Sequence, residues 1–169
     1  MQWLTRYRLL CWLAAAAVVG LLGFGYFLQY VKNLEPCPLC IVQRIAFLLV
    51  GIAFVVGALL NPAGTGRKIL GSVSLLLSLA GIALASRQLW LQSLPPDQVP
   101  GCGFGLDYML EVFPLWEVFL TMVQGTGDCA EIQWRFLGLT IPGWSLLAFS
   151  GFAVLSLWLI LMRSKASRD

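Results

Sequence analysis

"CPLCIVQRIAFLLVGIAFVVGALL", residues 37–60, decides how the chain folds. From Ile41 onward it runs for twenty residues with a single charge, Arg44, close to its start. That is enough helix, at about 1.5 Å per residue, to cross roughly 30 Å of hydrocarbon. Working outward, residues 9–30, 69–91 and 144–162 are similar runs, free of acidic residues and charged only at or near their ends. The composition agrees: 59% apolar residues, 11% charged residues and a mean hydropathy of +0.84 exceed what a water-soluble domain carries. The chain reads as an all-α integral membrane protein, one four-transmembrane-helix bundle built from its 169 residues. Arg6 and Arg8 ahead of an alanine-rich stretch imitate a secretory signal, but the apolar run is long and three spans follow, so an uncleaved first helix is expected.

Charge orients the bundle. Short loops that hold an excess of Lys and Arg stay in the cytoplasm. Arg6, Arg8, Arg67, Lys68, Arg163, Lys165 and Arg168, seven of eleven basic residues, fall in segments 1–8, 61–68 and 163–169, whereas seven of eight acidic residues fall in 31–40 and 92–143. Both termini are therefore expected in the cytoplasm, with a short and a long loop outside. The net charge of +3 is a topology signal, and no basic patch interleaved with aromatics points to nucleic acid.

Four of the five cysteines lie on the outer side: Cys37 and Cys40 at the mouth of the second span, Cys102 and Cys129 in the long loop. Outside a bacterial cytoplasm thiols oxidise, so two disulfides are expected, with three pairings open. A bridge between residues three apart closes a tiny loop, gains little chain entropy and is easily reduced. The Cys37/Cys40 pair is thus read as redox-active, and Cys102/Cys129 with it. Pro36 and Pro38 favour a helix start within a residue or two of Cys40. A helix N-terminus and the guanidinium of Arg44, one turn on, would both stabilise a Cys40 thiolate. Cys11, alone in the cytoplasmic half of the first span, reads as a small buried apolar residue without a catalytic role.

Electrons collected by such a pair need an acceptor. The chain has no histidine, which removes bis-histidine haem and most zinc sites. The glycines of "GCGFG" and "GTG" lack the strand and helix of a dinucleotide motif. A lipid-dissolved quinone is the accessible acceptor. Small residues, Ala16 with Gly20 in the first span, Ser74 with Ser78 and Gly81 with Ala85 in the third, would let helices approach closely and leave a headgroup pocket at the outer rim. In the long loop, "SLPPDQVPGCGFG" (93–105) would hold Cys102 on an irregular segment, and "MLEVFPLWEVFLTMV" (109–123) is too interrupted to span and reads as a short interfacial helix. Packing of that stretch over the bundle top is the alternative. Trp90, Trp116, Trp134 and Trp144 read as an aromatic belt.

The four spans, the "CPLCIVQR" motif, the two loop cysteines and the block "GDCAEIQWRFLGLTIPGW" (127–144) carry a resemblance over essentially the whole chain. It resembles the bacterial disulfide bond formation protein B family, quinone-dependent inner-membrane oxidases of periplasmic thiols. The resemblance implies that a thioredoxin-like periplasmic dithiol oxidase of the DsbA type attacks Cys102, that Cys129 is its intramolecular partner and can exchange with Cys37, and that electrons pass through Cys37/Cys40 to ubiquinone or menaquinone. It further implies that Cys40 adjoins the ring and that Arg44 assists quinone binding. Some relatives carry a histidine where this chain has Gln88 in "SRQLWLQ", so a proton-handling role is not carried over. Three rivals remain. A reductase of the vitamin K epoxide type would be expected to carry its active pair late in the bundle. A four-thiolate zinc protein would want two close pairs, and Cys102 and Cys129 are 27 apart. A membrane protein with purely structural disulfides would keep them whatever the donor.

Overall fold

Four long apolar helices dominate the computed structural model of the protein, which describes residues 2–62, 64–95, 97–101 and 106–161. They are α1 (Gln2–Val31), α2 (Pro38–Leu60), α3 (Thr65–Gln92) and, after a long loop, α6 (Ile141–Leu161). Inside that loop lie α4 (Leu106–Val112), α5 (Leu115–Gln124), a single 3-10 turn at Gly127–Cys129, and a two-stranded ribbon of β1 (Arg135–Phe136) and β2 (Leu139–Thr140). Helices α1, α2, α3 and α6 each contain a stretch long and apolar enough to cross a membrane. The expected four-helix class is the observed one.

Helix ends follow local chemistry. Cys37 caps α2, accepting the Cys40 N–H on its sulfur, and Pro38 at the first helical position needs no amide partner. Asn61, in the left-handed region at φ 41°, ends α2, and its N–H bonds the Gly57 carbonyl. Pro142 sits in the first turn of α6, so the helix begins at Ile141, three residues before the apolar run that hydropathy detects.

The long helices pack in the order α1, α2, α3, α6, with a minor contact of α2 on α6. Close approach of α3 and α6 depends on Gly71 and Gly81: a Cβ at Gly71 would meet Ile160, and one at Gly81 would strike the ring of Phe149. Ser74, Ser78 and Ala85 lie on the same buried stripe of α3, as expected. The matching expectation for α1 is corrected. Ala16 and Gly20 face outward, and nothing lies within 4 Å of a Cβ built at Gly20. The buried stripe of α1 is Tyr7, Cys11, Ala14, Ala15 and Val18, and its close contact is supplied by Gly51 of α2 against Val18. An almost wholly apolar helix has no polar face to reveal its orientation in sequence.

The core centres on stacked Phe47 and Phe149, ring centroids 3.9 Å apart, flanked by Phe152, Phe54 and Val50. Large apolar side chains such as Leu13, Ile52, Leu76 and Val154 point outward around the bundle, which is the surface a bilayer solvates. In the long loop, Met109, Val118 and Met122 pack on Val42 of α2, while Leu115, Trp116 and Phe119 of α5 are exposed. Helix α5 thus sits against the bundle with one apolar face and presents a second one outward. The ribbon pairs Arg135 with Thr140 and Phe136 with Leu139. Its Leu137-Gly138 turn has both residues at positive φ, the geometry that joins strands across two residues.

Candidate redox site

The site forms where the first turn of α2 meets the outer end of α3 and the 3-10 turn. The thiols of Cys37 and Cys40 lie 2.7 Å apart, and the Cys37 side chain also hydrogen-bonds that of Cys129. Three of the predicted site cysteines are therefore in one contact chain, Cys129 to Cys37 to Cys40, all unbonded in this state. Leu39 and Leu91, fully buried, pack around it and keep bulk water away. Gly125, at φ 79°, lets the chain turn under these two leucines; a Cβ there would meet both. Cys102 lies outside the described residues.

Electrostatics within the chain are uneven. Cys37 shares hydrogen bonds with Cys129 and Cys40 and is buried, which together hold its proton on well above the usual thiol range. Cys129 is lowered to about 6, first by the bond from Cys37 and further by the backbone N–H of Leu39 and by Thr126, against the opposing effect of burial. Free amides of the α2 first turn thus reach two sulfurs, Leu39 N–H toward Cys129 and Cys40 N–H toward Cys37, the latter at 3.3 Å. The sequence reading aimed the helix terminus at Cys40. Helix α2 does start within two residues of it, at Pro38, so Cys40 is the third helical residue, inside the first turn, and Cys37 occupies the cap.

Arg44 does not reach for water. Its guanidinium donates to the Gln29 side-chain carbonyl and, at 3.1 Å, to the Gly25 carbonyl, and lies 4.9 Å from the centre of the Tyr26 ring. These three neutral partners on α1 leave its charge uncompensated by any of them. Arg44 and Cys40 line one cavity of about 370 Å³, closed on other sides by Leu22, Phe47, Trp134 and Trp144. This cavity occupies the seam between α1 and α6, bridged at the top by the Phe24–Trp134 edge contact. Cys37 and Cys40 also line a second, water-sized space of about 20 Å³ with Gln88, Asp128 and Glu131.

The sequence of this assembly matches a family model described as Disulfide bond formation protein DsbB over residues 7–159. The chain is 59% identical to the Disulfide bond formation protein B of Hahella chejuensis over 150 residues, 89% of this chain and 90% of the relative. This chain belongs to the DsbB family. Two other DsbB relatives, from Chromobacterium violaceum and Nitrosococcus oceani, are 51% identical over 148 residues (88% of this chain, 89% of the relative) and 54% identical over 134 residues (79% of each). Membership makes it a disulfide bond formation protein with an oxidoreductase role.

Sequence reading missed two polar residues of this DsbB-family site. Gln29 holds the Arg44 guanidinium, and Gln43 donates at 2.7 Å to the side-chain carbonyl of Gln88. Each is a neutral polar residue within an otherwise apolar helix, a costly placement that marks a partner or a function. Gln88, set apart as a departure from relatives with histidine, turns out to donate to both Cys37 and Cys40.

Proposed function

We propose that this protein is a membrane thiol:quinone oxidoreductase that reoxidises a periplasmic thioredoxin-like dithiol oxidase of the DsbA type. The observation that carries the reading is the position of Cys40: it touches Cys37 at one side and lines the apolar cavity between α1 and α6 at the other. Electrons arriving through loop thiols thereby reach a compartment open to lipid-soluble molecules.

The cavity fits a quinone. Its volume and apolar walls suit a flat ring with an isoprenoid tail, and the Arg44 cation, which lines it together with Cys40, would supply a hydrogen-bond donor for ring oxygens. A bound ubiquinone or menaquinone supplies an acceptor for two electrons and two protons. Arg44, positioned by Gln29 and Gly25, would hold it, and Leu22, Phe47 and Trp144 would exclude water.

The residues of the chain perform the exchange. A partner thiolate attacks Cys102 of a Cys102–Cys129 disulfide; the S–S bond breaks and Cys129 leaves as a thiolate, within reach of the backbone N–H of Leu39 and of Thr126. Cys129 then attacks its neighbour Cys37, and Cys40 departs from the Cys37–Cys40 bond with the electron pair. The second partner thiol resolves the mixed disulfide and frees Cys102, which attacks Cys129 and releases Cys37. The partner ends oxidised and Cys37/Cys40 ends as the dithiol. The four apolar helices and the distribution of Lys and Arg support a bacterial inner-membrane location with both termini cytoplasmic and the cysteine loops periplasmic. The exposed Leu115, Trp116 and Phe119 support contact of α5 with the bilayer surface.

The test is quinone reduction by the purified protein with a reduced thioredoxin-like donor. Turnover in the unaltered chain, lost in Cys37→Ser, Cys40→Ser and Cys102→Ser, is the expected result. Full turnover in any of the three defeats the relay, and intact disulfides that ignore both donor and quinone would favour a structural role.

A further inference from the structure

We propose that the Gln88 carboxamide, oriented by Gln43, is the donor that stabilises the sulfur released at Cys40 when the Cys37–Cys40 bond opens, an inference that rests on the relay above. A carboxamide has two N–H donors and one carbonyl acceptor. The carbonyl of Gln88 is taken by Gln43 at 2.7 Å, and its nitrogen lies 3.2 Å from Cys37 Sγ and 3.3 Å from Cys40 Sγ. Its polar inventory is thus spent on one neighbour and two sulfurs. Gln43 is 4% exposed and Gln88 3% exposed, so the bond between them lies inside the protein rather than on its surface.

The pairing sets direction as well as contact. Turned over, the Gln88 amide would set its N–H against the Gln43 nitrogen and its oxygen against a thiolate at Cys40. Gln43, three residues beyond Cys40 on α2, therefore selects the orientation in which N–H faces the pair. The chemistry that profits is the exchange at Cys37. The Cys129–Cys37 bond forms, the Cys37–Cys40 bond breaks, and the electron pair stays on Cys40. No proton is transferred in that step, and a thiolate leaves faster when donors stabilise it. An amide supplies those donors without titrating and cannot itself carry a proton. Gln88 touches the reacting sulfurs and is assigned as a catalytic residue; Gln43 acts through it and is a positioning residue.

The test uses full-length reduced protein in detergent, without quinone or partner, and reads the rate of iodoacetamide labelling at Cys40 by peptide mass spectrometry at pH 7. Gln88→Met keeps length and removes both donors, and should slow labelling about tenfold, the size of a lost charge-assisted hydrogen bond. Gln43→Met should slow it about threefold alone and add nothing in the Gln88→Met background, the coupling expected of a residue acting through another. Wild-type labelling in Gln88→Met, or a Gln43→Met effect that persists in the double variant, overturns the assignment. If Gln88→Met does not fold, Gln43→Met decides by itself, since an unchanged rate removes the positioning role. A protein that labels as expected yet fails to reduce quinone defeats the relay and leaves the donor assignment standing.

Discussion

Two cysteines in this bundle sit on long apolar helices and share every intrinsic property of a thiol, yet their surroundings differ. Cys11, toward the inner end of α1, is 1% exposed and packs among Tyr7, Ala14, Ala15 and Ala58. Its hydrogen-bond partner is the Tyr7 hydroxyl. Cys40, at the outer end of α2, has Cys37 at 2.7 Å, an amide donor at 3.3 Å and a cavity wall of its own. What sets Cys40 apart is a second sulfur and access, and the end that holds Cys11 offers neither.

The largest effect that could break this contrast comes from removing each thiol in turn. Cys40→Ser should lower donor-dependent quinone reduction by about a thousandfold or more, the scale of losing an essential nucleophile. Cys11→Ser should stay within about twofold, because it adds no void and touches no exchanging sulfur. Steady-state assays on both variants check this, and comparable losses would erase the distinction.

A second measurement sharpens it through pH. Cys129 has its thiol lowered to about 6, so above that value it is a thiolate and below it the proton returns. In reduced Cys102→Ser protein, labelling of Cys129 should therefore be near its plateau at pH 7 and fall about tenfold by pH 5. A profile still rising through pH 8 would show that Cys37 and the Leu39 amide do not act on Cys129.

Arg44 offers a third, smaller effect. Arg44→Ala should raise the quinone KM about tenfold while partner attack, read as mixed-disulfide formation, changes less than about twofold. An unchanged KM would return Arg44 to a merely structural tie between α2 and α1 through Gln29 and Gly25.

How much of this was legible beforehand differs between the same two ends. Hydropathy read the four spans because a run such as Ile41 to Leu60 has one feasible home, and the Cys37/Cys40 spacing marked two thiols that the fold does bring into contact. The facing of α1 was not legible, since Ala16 and Gly20 obey the small-residue rule as well as the residues that do face α2. The Gln43–Gln88 bond joins residues 45 apart, and nothing local in either helix announces it. The ribbon at Arg135–Thr140 is too short for an alternating pattern, although Gly138 after an apolar pair marks a turn.

The smallest effect probes the sealed inner end alone. Gly57 of α2 faces α1 where a Cβ would stand 2.9 Å from the Tyr7 hydroxyl and 3.5 Å from the Cys11 sulfur. Tyr7 is only 3% exposed, so its ring has little room to retreat. Gly57→Ala gains helix propensity of about 1 kcal/mol but forces a shift in a filled contact, which costs roughly 1–3 kcal/mol. The net expectation is a fall of a few degrees in the thermal transition in detergent. Quinone turnover at a temperature well below that transition should remain within about twofold, because Cys37, Cys40, Gln88 and Arg44 lie at the other end and distant substitutions act nearly independently. A variant that kept its stability but lost turnover would show that the inner contacts position the outer sulfurs, and the two ends would then have to be treated as one unit.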